Sequence, residues 1–136
     1  MASLSITAAN VIADPSATIE YGKAGATITA GAVVYRDATD GTYKLADCDD
    51  ASAAVRNPRG IALNGASSGQ PLAIARKGDV TIGATMTAGL VYYLSPTAGQ
   101  IGVVADVLSG DDPIIIGQAK STTVLTIAIN DPNVTI

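Results

Sequence analysis

Residues 25–35 read GATITAGAVVY and residues 83–93 read GATMTAGLVYY, eight identities in eleven positions at an offset of 58. The mismatches, Ile28/Met86, Ala32/Leu90 and Val34/Tyr92, each exchange one apolar side chain for another. The correspondence continues outward in the same order. Gly41 aligns with Gly99 and Leu45 with Val103. One residue then drops out, and Arg59-Gly60-Ile61-Ala62 aligns with Ile116-Gly117-Gln118-Ala119. Leu72-Ala73-Ile74-Ala75 answers Leu125-Thr126-Ile127-Ala128, and Gly78-Asp79-Val80-Thr81-Ile82 answers Pro132-Asn133-Val134-Thr135-Ile136. The chain divides into an extended N-terminal arm (1–24), a first copy (25–82) and a second copy (83–136) that runs to the last residue. Two copies are fewer than the roughly three a solenoid needs to bury its faces. The expectation is one β-domain whose two similar modules share a core.

Within each copy the signals are those of strands. Ala32-Val33-Val34-Tyr35 and Leu90-Val91-Tyr92-Tyr93-Leu94 are β-branched and aromatic runs. Each is followed by a short turn closed by glycine, Asp37–Gly41 and Ser95–Gly99, and then by a returning strand. Residues 60–63, 71–75, 80–82, 114–119, 124–129 and 134–136 give further strands, with Arg76-Lys77-Gly78-Asp79 reading as a turn. Leu125, Ile127 and Ile129 alternate with Thr126 and Ala128, the period of a half-buried strand. Ile114-Ile115-Ile116 is apolar on both faces and predicts a covered strand. Asp49–Val55 has the composition for one or two helical turns, which Pro58 would end. The fold class expected is all-β, a small antiparallel barrel or sandwich.

Composition excludes several chemistries. The 136 residues contain no His, Phe or Trp and one Cys. A Ser-His-Asp or Cys-His pair cannot be built, nor can a His-ligated zinc site, an internal disulfide or an iron–sulfur cluster. A net charge of −4 argues against a nucleic-acid partner. No apolar run is long enough for a bilayer-spanning helix, so no membrane partner is expected. Met1-Ala2-Ser3-Leu4-Ser5 carries no secretory pattern, which predicts a chain that stays where it is made until it assembles. The core must be packed by Val, Ile and Leu, with Ala where backbones approach. That composition suits a scaffold and leaves little room for an aromatic-walled pocket.

The candidate reactive groups are few. Asp47, Asp49 and Asp50 surround Cys48, but no calcium-loop spacing follows them. The thiol has no His to activate it and three carboxylates to oppose ionisation. Asn64–Gln70 is rich in glycine without the lysine and helix of a phosphate loop. Arg56-Asn57-Pro58-Arg59-Gly60 can grip carboxylates on a partner, and Arg76-Lys77 adds two further cations. In the arm, Ser3-Leu4-Ser5-Ile6-Thr7 alternates, and Asn10–Pro15 and Thr18–Tyr21 are extended pieces. Two readings stand for this segment. It is mobile until it adds a strand to a neighbour's sheet, or it pairs within its own chain as a first strand.

In order, these motifs are Gly25 through Val33-Val34-Tyr35, the hairpin Asp40–Leu45, Gly60-Ile61-Ala62, Gly69–Ala75 and Gly78-Asp79-Val80. The order resembles that of tailed-phage capsid decoration, or cement, proteins across most of residues 25–136. The resemblance implies a non-enzymatic β-protein on the exterior of a virion, without cofactors. Such proteins are commonly homotrimers at local threefold positions, with an N-terminal arm reaching onto the major capsid protein. The internal duplication departs from decoration proteins that carry a single module. On this reading the capsid-contact candidates are Leu4, Ile6, Val11 and Ile12 of the arm together with Arg56 and Arg59, and no catalytic, cofactor or metal residue is assigned. The alternative is a phage tail or fibre module, or another virion surface module, binding a receptor or glycan, with Tyr92 and Tyr93 as candidates.

Overall fold

The computed structural model describes residues 3–132 and 134–136. Among the described residues there are ten strands: β1 (Val11–Ala13), β2 (Thr18–Lys23), β3 (Val33–Arg36), β4 (Tyr43–Leu45), β5 (Gly60–Ala62), β6 (Pro71–Ile82), β7 (Val91–Leu94), β8 (Ile101–Gly102), β9 (Ile115–Ala119) and β10 (Val124–Asn130). The architecture is all-β. Every strand pairing is antiparallel, in one curled sheet ordered β4-β3-β5-β6-β10-β9-β7-β8, with β1 and β2 along β6. Asp49–Val55 forms turns rather than a helix, tied by Arg56 N–H to Ser52 O and Asn57 N–H to Ala54 O.

β6 is the spine. Its first half pairs with β5 and β2, its second half with β10 and β1. The sequence places a turn at Arg76–Asp79, but the strand continues through it as a bulge. Opposite Thr18 and Ile19 the register skips one residue of β6, and Gly78 takes φ +98°. A bulge inverts which residues face which side. Leu72 and Ile74 therefore enter the smaller core, with Ala24, Ile28, Val34 and Tyr43, while Val80 and Ile82 enter the larger one. One continuous strand thus serves two cores, and the polar Arg76-Lys77 pair sits at the crossover.

Several backbone bonds recur at equivalent positions in the two halves of the chain. Gly31 N–H donates to Ala62 O at 2.8 Å, and Gly89 N–H to Ala119 O at 2.7 Å. Asp37 N–H donates to Thr42 O at 2.8 Å, and Ser95 N–H to Gln100 O at 2.9 Å. The first unit runs β2-β6-β5-β3-β4, and the second runs β6-β10-β9-β7-β8. β2 therefore holds the position in the first unit that the end of β6 holds in the second. The hydrogen-bonded repeat starts near Thr18, although the sequence identity starts at Gly25. Ala24 forms a bridge with Tyr43, drawing β2 toward β4 and curling the first unit.

The larger core lies between the units. Val33, Tyr35 and Ile61 meet Tyr92, Leu94, Ile101, Ile114, Ile116 and Leu125 there, all buried. Each large aliphatic side chain so buried contributes roughly 1.5–3 kcal/mol. Ile114 and Ile116 are buried as the sequence predicts, but Ile115 between them is half-exposed. In β10, Leu125 and Ile127 point inward and Ala128 outward, the expected alternation. Val134-Thr135-Ile136 is not a strand. Its last residue instead exchanges backbone bonds with Gly110 and Asp111. Asn133, included in the sequence repeat, and Met1 and Ala2 of the arm lie outside the described residues.

Candidate interaction surfaces

The N-terminal segment is extended and pairs within its own chain. Val11–Ala13 and Thr18–Lys23 follow one edge of β6 almost without a break, from Ile82 down to Pro71. The physical reason is satisfaction of the backbone. β6 offers a full row of donors and acceptors, and pairing there fills both partners' bonds at once. Upstream, Leu4 N–H donates to Ile101 O at 2.8 Å and Thr7 N–H to Gly83 O at 2.8 Å. Leu4 and Ile6 pack half-buried against the larger core.

This pairing sorts the contact candidates. Val11 points inward and is 7% exposed, so it belongs to the chain's own core. Ile12, its neighbour, points outward and is 63% exposed. On β2, Ile19 and Tyr21 share the outward direction, Tyr21 at 77% exposure. The bulge in β6 separates Ile12 from these two. Ile12 pairs with Thr81 on the face turned away from the larger core, whereas Ile19 and Tyr21 pair with Ala75 and Ala73 on the opposite face, so the exposed apolar pair of one face is Ile19 and Tyr21 of β2. Sequence reading picks out Ile12 but misses Tyr21 and Ile19. Their exposure follows from the register of β2 on β6, which no local motif encodes. Tyr92 is buried with its hydroxyl accepting Thr87 N–H at 2.9 Å, and Tyr93 is half-buried.

The two arginines part company. Arg56 is internal: its Nε lies 2.9 Å from the buried Asp112 carboxylate and its Nη1 donates to Asp50 O at 2.7 Å. It fastens the Asp50–Arg56 loop to the second unit. Arg59 forms a fork with Glu20, 2.8 Å and 3.1 Å to the two carboxylate oxygens, and Arg76 stands 3.6 Å from Glu20. The Tyr43 hydroxyl donates to the same carboxylate. Arg59, opposed by burial and helped by Tyr43, holds Glu20 down at about 2 from an ordinary 4.5. Glu20 thus ties β2 to β4, to the entry of β5 and to β6.

A cleft of about 960 Å³ opens where β5 and β10 separate along β6. Arg36, Arg59, Arg76 and Lys77 bring positive charge to it, and the half-buried Ile115 and Ile129 give it an apolar wall. Arg36 was not a candidate from sequence, because the topology alone carries the end of β3 to this point.

The acidic loop is chemically quiet. Cys48 is buried, and burial, then Asp111, Asp49 and Asp47, push its thiol up to about 12. Such a thiol is protonated at neutral pH and is no nucleophile. Burial and the neighbouring Asp49 raise Asp47 to about 7. Among the described residues, no group of three or more acidic or thiol side chains is placed to hold a metal ion. No protein-family model matches the chain, and no curated protein matches it.

Proposed function

We propose that the chain is a structural decoration protein that binds the outer surface of a phage head, contacts the major capsid protein and cements the shell without transforming a substrate. The observation that carries this reading is the exposed apolar pair Ile19 and Tyr21 on β2, a strand held to β6 along one edge. Large exposed apolar side chains side by side mark a contact surface. The segment docks through these side chains as a strand already fixed to β6 and not as a loose tail. Arg59, at the entry of β5 beside the crossover of β6, meets acidic groups of the shell protein. A ligand that binds only the assembled shell adds its binding free energy to the shell's stability, and repetition over many sites makes each modest contact count. A homo-oligomer, of which a trimer is the form the resemblance implies, would multiply those contacts again.

The test uses side-chain changes, since removing residues 2–24 would take two strands from β6. Purified chain is mixed with undecorated shells and sedimented. The wild type co-sediments and raises the temperature at which the shell breaks. The double variant Ile19→Ser, Tyr21→Ser melts like the wild type but binds at least tenfold more weakly. Undiminished binding by that variant removes this face of β2 from the mechanism.

A further inference from the structure

The cleft between β5 and β10 has a chemistry of its own, separate from the exposed apolar side chains of β2. Its cations, Arg36, Arg59, Arg76 and Lys77, face only Glu20 as a paired carboxylate, so about three positive charges gather in a chain whose net charge is −4. Among the described residues neither Arg36 nor Lys77 forms an ion pair. Arg76 also carries a buried Nε–H with no acceptor among the described residues, a donor that costs free energy until something accepts from it. Opposite the cations stand the half-buried Ile115 of β9 and Ile129 of β10.

We propose that this cleft is a binding site for an extended, carboxylate-bearing peptide segment of a partner protein, with acidic side chains toward Arg36, Arg76 and Lys77 and apolar side chains toward Ile115 and Ile129. The two-sided lining selects this occupant. A small inorganic anion would use the cations and leave the apolar wall wet. A nucleic acid requires a broad basic face, which a chain of net charge −4 does not present. A strand whose side chains alternate acidic and apolar satisfies both walls at once, since successive side chains point opposite ways. Guanidinium–carboxylate pairs in a recess are charge-assisted and directional. The cleft of about 960 Å³ is of a size that holds several side chains. The inference requires no phage particle and stands or falls apart from the shell reading.

The experiment is fluorescence anisotropy with the full chain and a labelled octapeptide of alternating Glu and Val. Comparison octapeptides alternate Lys with Val and Glu with Gly. The Glu/Val peptide binds at least tenfold more tightly than either, and its affinity falls as salt rises from 50 to 500 mM, as screening requires. The double variant Arg36→Glu, Lys77→Glu breaks no ion pair, melts within a few degrees of the wild type and loses at least tenfold in affinity. Four results of the binding assay overturn the proposal: absent binding, equal binding of the Lys/Val peptide, equal binding of the Glu/Gly peptide, and unaltered affinity in the double variant. Sedimentation velocity covers the remaining occupant. If the chain self-associates and Arg36→Glu, Lys77→Glu dissolves the oligomer, the cleft is filled by a second copy and the partner-peptide proposal fails.

Discussion

Gly117→Ala loses about 3 kcal/mol of stability, a fall in melting temperature of roughly 10 °C, and Gly60→Ala loses as much. The two positions are equivalent in the repeat. A Cβ at Gly60 would lie 2.3 Å from Ala75 O, and one at Gly117 would lie 2.2 Å from Thr126 O. In both cases the obstacle is a backbone carbonyl of the neighbouring strand, which cannot rotate aside. Either the strands separate, costing ladder bonds and core contact, or the side chain is not accommodated. Gly65→Ala is the control. Its nearest neighbour is Ile28 O at an ordinary 3.7 Å, so little change is expected. Thermal unfolding followed by far-ultraviolet circular dichroism reads all three. Equal stability of Gly65→Ala and Gly117→Ala would show that the close approach of these strands is wrong.

Glu20→Gln is the second large effect, about 2 kcal/mol at pH 7. The carboxylate is held at about 2 against an ordinary 4.5, chiefly by Arg59. Two and a half pH units correspond to about 3.4 kcal/mol at most, and a side chain about a quarter exposed retains part of that after solvent screening. The sign follows from proton binding. Between about 2 and 4.5 the unfolded chain binds the proton and the folded chain does not, so folding is favoured more as pH rises. The contribution is complete above about 4.5 and is lost as pH falls toward about 2. Urea unfolding of wild type and Glu20→Gln should therefore differ at pH 7 and converge near pH 2. A gap independent of pH would mean that Glu20 acts by packing and not by charge.

The sequence makes the local elements readable and leaves their assembly hidden. The β-branched runs at Val33–Tyr35 and Val91–Leu94, and the glycine-closed turns after them, declare themselves because their periodicity and turn chemistry are local. The similarity of GATITAGAVVY to GATMTAGLVYY exposes the duplication for the same reason. β2 escapes the repeat because Thr18–Lys23 and Arg76–Thr81 share a pairing role without sharing residues: edge strands are held by backbone bonds that almost any side chain permits. Arg76-Lys77-Gly78-Asp79 looks like a turn, since glycine beside charged residues is turn composition. A bulge within a long strand needs the same positive φ, so the two cannot be told apart from composition. Of the contact candidates, Ile12 and Arg59 reach accessible surfaces, while Val11 and Arg56 are spent on the fold itself. Arg36, Ile19 and Tyr21 become visible only when non-local pairing brings them beside the others.

On the proposed reading the chain adheres to the exterior of a shell through the exposed face of β2. Electron cryo-microscopy of shells saturated with the full chain decides this. The expected map has discrete added density on the outer surface, with Ile19 and Tyr21 turned toward the shell protein. A map without added density, or one in which Ile19 and Tyr21 face solvent, refutes the proposal.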